Sequence, residues 1–177
     1  MKRNEGREDS RVCVLGLGNL MRTDDAVGML ALRILAEDIR LPPGIEVVEG
    51  GTLGLDLLHH VYGLSHLLVL DAVDTGAAPG KLTRFLGQEL ARLPTSKSVH
   101  LLGLSDLMNV LLLMNAPPLE TVLIGIQPES TDWGTALTPA VKAAQPSLVE
   151  AALSQLATWL AEIATHTPAT NLRLAAQ

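Results

Sequence analysis

One apolar run, HLLVLDAV at residues 66–73, constrains the fold of this chain more than any other feature. Its side chains are apolar on both faces of an extended strand until Asp71, whereas a half-exposed strand alternates polar and apolar residues. A strand that is buried on both faces is typical of a parallel sheet covered by helices on both sides. The run therefore predicts an α/β protein.

Shorter apolar runs and helical repeats alternate on either side of this strand. Further strands are predicted at residues 11–16, 45–48 and 121–126, with an alternating edge strand at 81–85. Helices are predicted at 24–38, at 53–61, around 107–114 with Ser105 or Asp106 as N-cap, and along the stripe 149–163 with Pro146 near the first turn. The fold class is therefore α/β, with a twisted, mostly parallel sheet of about five strands and helices on both faces.

Length and composition set the limits of this domain. A chain of 177 residues suits one domain, predicted at residues 11–164 with flexible tails at 1–10 and 165–177. The net charge of −6 argues against a nucleic-acid partner, and no apolar run reaches the roughly 18 residues of a membrane span. The polar start is a poor signal peptide. We therefore expect a cytoplasmic monomer, with its one cysteine, Cys13, buried and inert in the first strand.

The connections between strands predict where a ligand binds. Two right-handed crossovers place the second strand on one side of the first and the third strand on the other, which gives the order 2-1-3. Ligands of open α/β sheets bind beyond the carboxyl ends of the strands, where the order reverses. Asp24 and Asp25 follow the first strand and Asp71 ends the third. The topology therefore predicts that these residues meet.

The loop after the first strand, GLGNLMRTDDAVG at residues 16–28, has the glycines of a phosphate cradle but the wrong charge. In the dinucleotide motif G-x-G-x-x-G the third glycine would stand where this chain has Met21, and no Gly-Lys-Ser/Thr follows. A phosphate at the start of the next helix would also face Asp24 and Asp25. A Rossmann-like nucleotide-binding module is therefore only an alternative.

Three side chains from separate units are the candidates for chemistry. One aspartate of the pair, Asp24, is expected to cap the following helix, which leaves Asp25 to face the crevice. Asp71 ends a buried strand, where a carboxylate is costly without a partner or a cation. His100 lies in a loop or strand end before the third helix. Two carboxylates and an imidazole can hold Zn²⁺, Ni²⁺ or Fe²⁺, although each residue alone also fits a structural or solvated role.

The combination of four motifs resembles that of the hydrogenase maturation proteases. These endopeptidases complete the maturation of the large subunit of [NiFe] hydrogenases. The four motifs are G-x-G-N-x-x-x-x-D-[DE]-x-x-G at 16–28, EGGT at 49–52, the strand 67–72 ending in Asp-Ala, and the lone His100. The later QPES at 127–130 and LTP at 137–139 also fit the family. The resemblance covers about residues 11–160 and implies a twisted sheet between helices.

The resemblance also implies a function. It makes Asp25, Asp71 and His100 the catalytic and metal-contacting residues of an aspartic-type, nickel-dependent endopeptidase. The reaction it implies removes a C-terminal extension from the precursor of the hydrogenase large subunit after nickel insertion. The nickel is then supplied by that precursor as a recognition signal, and another divalent cation can occupy the site in isolation. Asp25 stands where the family often has Glu. A non-catalytic nickel chaperone with the same three ligands is a further alternative.

Overall fold

The computed structural model describes residues 10–90, 99–118 and 120–166. The elements in chain order are β1 (Val12–Leu17), α1 (Val27–Glu37), β2 (Glu46–Gly51), α2 (Leu58–Val61), β3 (His66–Ala72), β4 (Leu82–Leu86), α3 (Gly87–Leu90), α4 (Val99–Leu113), β5 (Glu120–Ile126) and α5 (Pro139–His166). Short 3-10 turns at Thr23–Ala26 and Gly54–Leu57 precede α1 and α2. Residues 1–9 and 167–177, where flexible tails are predicted, lie outside the described residues.

The five strands form one sheet in the order β2-β1-β3-β5-β4. β1 pairs in parallel with β2 and β3, and β3 pairs in parallel with β5. β4 is antiparallel to β5 and lies at the edge, as its alternating sequence predicts. The mostly parallel sheet and the 2-1-3 order are therefore confirmed, and the strand order reverses between β1 and β3.

Two apolar layers cover the sheet, one on each face. Leu68 and Leu70 of β3 pack in a cluster with side chains of α1 and α5. Leu67 and Val69 pack in a second cluster with side chains of α2 and α4. Every residue of β3 is buried. Helices on both faces are therefore confirmed, and residue parity along β3 decides which helices a side chain meets.

α4 begins earlier than the sequence predicts. It runs from Val99, so Ser105 and Asp106 lie inside the helix and the predicted N-cap there is wrong. The helix continues through Gly103, where a Cβ would come within 2.9 Å of the Cα of Gly54. Because glycine permits this close approach, a long-range contact offsets the poor helix propensity of residue 103.

α5 also begins earlier than the sequence predicts. Its first residue is Pro139, and Pro146 lies inside the helix rather than near its first turn. Proline fits the first position of a helix, and the additional turns bury Val141 in the core. α5 has 28 residues, but in the described parts of the chain no helix is both long and apolar enough to cross a bilayer.

Cys13 is completely buried in β1, which confirms the predicted buried thiol. Burial, reinforced by the charge of Glu46 and opposed by Arg11, raises the pKa of Cys13 to about 12. Because the thiolate is the nucleophile, only about one thiol in ten thousand is ionised at pH 8. We expect iodoacetamide to label the native protein negligibly at pH 8 and the guanidinium-unfolded protein within minutes, as measured by mass. Labelling of both forms at equal rates would contradict this.

Candidate functional site

The glycines of the loop after β1 allow backbone segments to approach each other. Gly18 has a φ of +127°, and a Cβ there would overlap the carbonyl oxygen of Asp25. A Cβ on Gly28 would overlap the carbonyl oxygens of Leu17 in β1 and Leu70 in β3. The loop therefore folds back onto the carboxyl ends of both strands, and its glycines serve the packing of the chain against itself.

Several backbone N–H groups of this loop donate hydrogen bonds to acceptors within the protein. The N–H of Gly18 donates to the carbonyl of Gly51 at 3.0 Å, and the N–H of Asn19 donates to the carboxylate of Asp25 at 3.0 Å. The N–H of Met21 donates to the side-chain oxygen of Asn19 at 2.9 Å. A phosphate cradle needs such N–H groups directed at its anion. The loop is therefore not built for phosphate, and the nucleotide-binding alternative loses its support.

Asp25 lies just beyond the carboxyl end of β1. It belongs to the 3-10 turn Thr23–Ala26 and is half-buried. Its Oδ2 accepts the hydrogen bond from Asn19, which fixes the carboxylate against the loop. Asp25 therefore lies at the carboxyl edge of the sheet. That its side chain faces a crevice stays a prediction.

Asp71 is completely buried near the end of β3. Its Oδ1 accepts a hydrogen bond from the N–H of Ala72 at 2.8 Å. Side chains alternate between the faces of a strand, so Asp71 lies on the same face as Leu67 and Val69. Those two residues pack against side chains of α4. The buried carboxylate therefore lies on the face of the sheet that α4 covers.

The third candidate, His100, lies in the first turn of α4, not in the loop or strand end that the sequence predicts. α4 precedes β5, which starts beside the first residue of β3. The first turn of α4 therefore lies towards the carboxyl edge of the sheet, where Asp71 is. Gly103, one turn further on, lines a cavity of about 30 Å³ together with Leu17 and Gly51 from that edge.

The topology thus brings Asp25, Asp71 and the first turn of α4 to one edge of the sheet. Among the side chains that the structure describes, no three His, Cys, Asp or Glu residues are grouped as metal ligands. The side chain of His100 is not among those described. The metal site of Asp25, Asp71 and His100 stays a prediction.

Asp24 has a role that the sequence does not reveal. Its completely buried carboxylate accepts hydrogen bonds from the N–H groups of Glu129 (2.9 Å), Ser130 (3.1 Å) and Thr138 (2.7 Å), and from the hydroxyl of Thr138 (2.8 Å). The prediction that it caps the helix is wrong, because Asp24 lies in the 3-10 turn before α1 and makes no cap hydrogen bond there. It instead joins the loop after β1 to the segment after β5.

Gln127 is a second residue whose role is visible only in the structure. Its side-chain oxygen accepts hydrogen bonds from the N–H groups of Thr75 (2.7 Å) and Ala77 (3.2 Å), and its side-chain nitrogen donates to Asp74 (3.0 Å). These contacts fix the loop that follows Asp71. The QPES motif therefore braces both carboxylate-bearing segments, and its presence at 127–130 is the one sequence signal for this role.

Known proteins are similar to this chain over most of its length. A family model described as hydrogenase maturation protease matches residues 30–155. The hydrogenase 2 maturation protease of Escherichia coli K12 is 36% identical over 154 residues, which cover 86% of this chain and 92% of that protein. The hydrogenase expression/formation protein HoxM of Azotobacter vinelandii is 37% identical, over 82% of this chain and 72% of that protein.

Solved structures have the same fold. The hydrogenase maturating endopeptidase HybD from Escherichia coli superposes with a TM-score of 0.79 at 35% identity, covering 84% of this chain and 93% of that one. The [NiFe] hydrogenase maturation protease HybD from Thermococcus kodakarensis gives a TM-score of 0.69 at 32% identity, over 82% and 98%. The similarity therefore holds in sequence and in three dimensions alike.

Proposed function

This chain belongs to the hydrogenase maturation protease family, and on that premise we propose that it removes a C-terminal extension from the large-subunit precursor of a [NiFe] hydrogenase. Membership makes it a peptidase. Its structural relatives are named as an endopeptidase and as a [NiFe] hydrogenase maturation protease. The observation that carries the proposal is the pair of carboxylates, Asp25 and Asp71, at the carboxyl edge of the sheet beside a loop whose amides are already bonded.

Nickel enters this proposal as part of the substrate. Asp25, Asp71 and His100 contact the nickel of the precursor, because two carboxylates and an imidazole suit a borderline cation. Asn19 and Ala72 hold the two carboxylates by hydrogen bonds before the precursor arrives. A precursor without nickel lacks the contact that places its scissile bond at the site. Nickel therefore acts as the recognition signal.

The two carboxylates differ in access. Asp25 is half-buried, whereas Asp71 has no exposed surface. Contact between Asp71 and the nickel therefore requires the residues that cover Asp71 to move when the precursor binds. A divalent cation beside a peptide bond supplies Lewis-acid polarisation. Asp25 and Asp71 supply the negative charge that holds the cation there.

The test incubates nickel-loaded and nickel-free precursor with the purified protein and measures the intact mass of each precursor by mass spectrometry. We expect loss of a C-terminal peptide from the loaded precursor alone, while a precursor truncated before the extension keeps its mass. Equal cleavage of both forms would contradict nickel recognition. Intact precursor together with transfer of nickel would instead support the non-catalytic nickel chaperone.

A further inference from the structure

An exposed aromatic side chain lies beside the candidate site. Trp133 is 78% exposed, whereas Trp159, the other tryptophan of the chain, is completely buried. Only 2% of the residues are aromatic, so an aromatic side chain that is exposed rather than buried in the core is notable in this chain. The guanidinium carbon of Arg22 lies 5.8 Å from the centre of the Trp133 ring, and the neighbouring Met21 is 56% exposed. Met21, Arg22 and Trp133 together are called the rim patch.

Hydrogen bonds fix the shape of the rim patch. The N–H of Gly134 donates to the carbonyl of Met21 at 3.0 Å, and the N–H of Thr23 donates to the carbonyl of Gly134 at 2.9 Å. The Nε of Arg22 donates to the carbonyl of Thr131 at 2.8 Å. The two segments that form the patch are thus joined on both sides of Trp133. Binding of a partner to this surface therefore costs little conformational entropy, because the surface is already ordered.

The rim patch is close in sequence to Asp25, where the proposed function places the scissile bond. Met21 is four residues from Asp25, so their Cα atoms are at most about 15 Å apart. A specific protein interface covers about 800 Å² on each partner, which is a disc about 30 Å across. A folded protein bound with its scissile bond at Asp25 can therefore reach the rim patch.

We propose that the rim patch is a docking surface for the folded body of the hydrogenase large-subunit precursor, an inference that rests on the proposed function. Trp133 stands out into solvent, so it fits a concave apolar pocket, which a folded domain offers and an extended C-terminal peptide does not. Tryptophan, methionine and arginine are enriched at interfaces, and tryptophan and arginine at their hot spots. The positive charge of Arg22 beside the ring favours a partner pocket with an acidic edge.

Kinetics of precursor processing test this surface. Trp133→Ala should raise KM for the precursor about tenfold and leave kcat within about twofold, because it removes binding that is equal in the ground and transition states. Its melting temperature should be parental, since the side chain is exposed. Ile39→Ala is the matched control: Ile39 is 99% exposed and follows α1 at the opposite edge of the sheet. A parental KM for Trp133→Ala would overturn the proposal.

Fluorine NMR follows binding without relying on cleavage. Protein grown with 5-fluorotryptophan carries two labels, and Trp133→Phe identifies the resonance of Trp133. Unlabelled precursor should shift or broaden this resonance and leave that of Trp159 unchanged. A synthetic peptide with the sequence of the extension should shift neither; a shift of Trp133 by the peptide alone would overturn docking of the folded body.

The outcomes for this surface and for the proposed function are separable. Precursor that is cleaved while the Trp133 resonance stays unchanged overturns the docking surface and leaves the proposed function intact. Precursor that shifts Trp133 but is never cleaved contradicts the proposed function and supports the docking surface.

Discussion

Replacing Asp24 by alanine is expected to lower the free energy of unfolding by about 3–5 kcal/mol. The substitution leaves the N–H groups of Glu129, Ser130 and Thr138 without their acceptor. A hydrogen bond to a charged acceptor contributes about 1.5–3 kcal/mol, but the contributions do not add, since water enters the gap and the segments relax. The segment after β5 should therefore loosen from the loop after β1.

Two further variants should lower the free energy of unfolding by smaller amounts. Asp24→Asn is well tolerated at an N-cap, but here it places an amide group against an N–H donor, because the carboxylate accepts hydrogen bonds through both oxygens. We expect a loss of about 2 kcal/mol for Asp24→Asn and about 1 kcal/mol for Thr138→Val, which removes one donor. Urea unfolding followed by circular dichroism measures all three variants.

The control for this series is Asp56→Ala. Asp56 is exposed in the 3-10 turn Gly54–Leu57, so its loss should change the free energy of unfolding by less than about 0.5 kcal/mol. If Asp24→Asn unfolds at the parental urea concentration, the four hydrogen bonds of Asp24 do not carry the stability assigned to them.

The sheet is the part of the fold that could be predicted from the sequence. β3 and β5 are buried on both faces, and such strands are continuous apolar runs that need no long-range information to recognise. The edge strand β4 alternates because one of its faces is less covered, and this pattern is also local. The order β2-β1-β3 then follows from the handedness of the crossovers.

The helix starts and the role of Asp24 could not be predicted in this way. α4 begins at Val99 although Gly103 interrupts its apolar pattern. Gly103 packs closely against Gly54, and a contact between residues so far apart in sequence is not visible locally. The partners of Asp24 lie 105 to 114 residues away along the chain. An aspartate before a helix has a local interpretation as a cap, and only the tertiary structure shows that a distant segment takes its place.

The candidate site was predictable to a different extent at each residue. The 2-1-3 order alone places Asp25 and Asp71 near one edge, because both follow or end strands on either side of the reversal. No spacing rule connects His100 to them. Its predicted place in a loop or strand end makes it a candidate among the five histidines, and only the family resemblance gives it the role of a metal ligand. α4 starts near the carboxyl edge of the sheet, so His100 lies at the same edge as the two aspartates. Its role as a metal ligand stays a prediction.

Removing the charge of either candidate carboxylate is expected to stop precursor processing while the fold survives. Asp25→Asn and Asp71→Asn keep the side-chain size, and an amide oxygen can still accept the N–H of Asn19 or Ala72. The negative charge that a divalent cation needs is lost, so the processing rate should fall by about a thousandfold or more. Because Asp71→Asn keeps an acceptor for the N–H of Ala72, its melting temperature should stay close to the parental one. Intact mass of the precursor and thermal melts measure both effects.

Substitutions that retain the negative charge distinguish a metal-contacting role from a structural role. Asp25→Glu keeps the negative charge and should retain most of the processing rate, as the family resemblance implies for a Glu at this position, whereas Asp25→Asn should not. His100→Ala removes the proposed imidazole ligand and should abolish processing; a parental rate for it would show that His100 is misassigned. Asp106→Asn, at an exposed position of α4, is the control and should process normally. If Asp71→Asn cleaves nickel-loaded precursor as fast as the parent, Asp71 is not part of the site, and its burial needs a purely structural explanation.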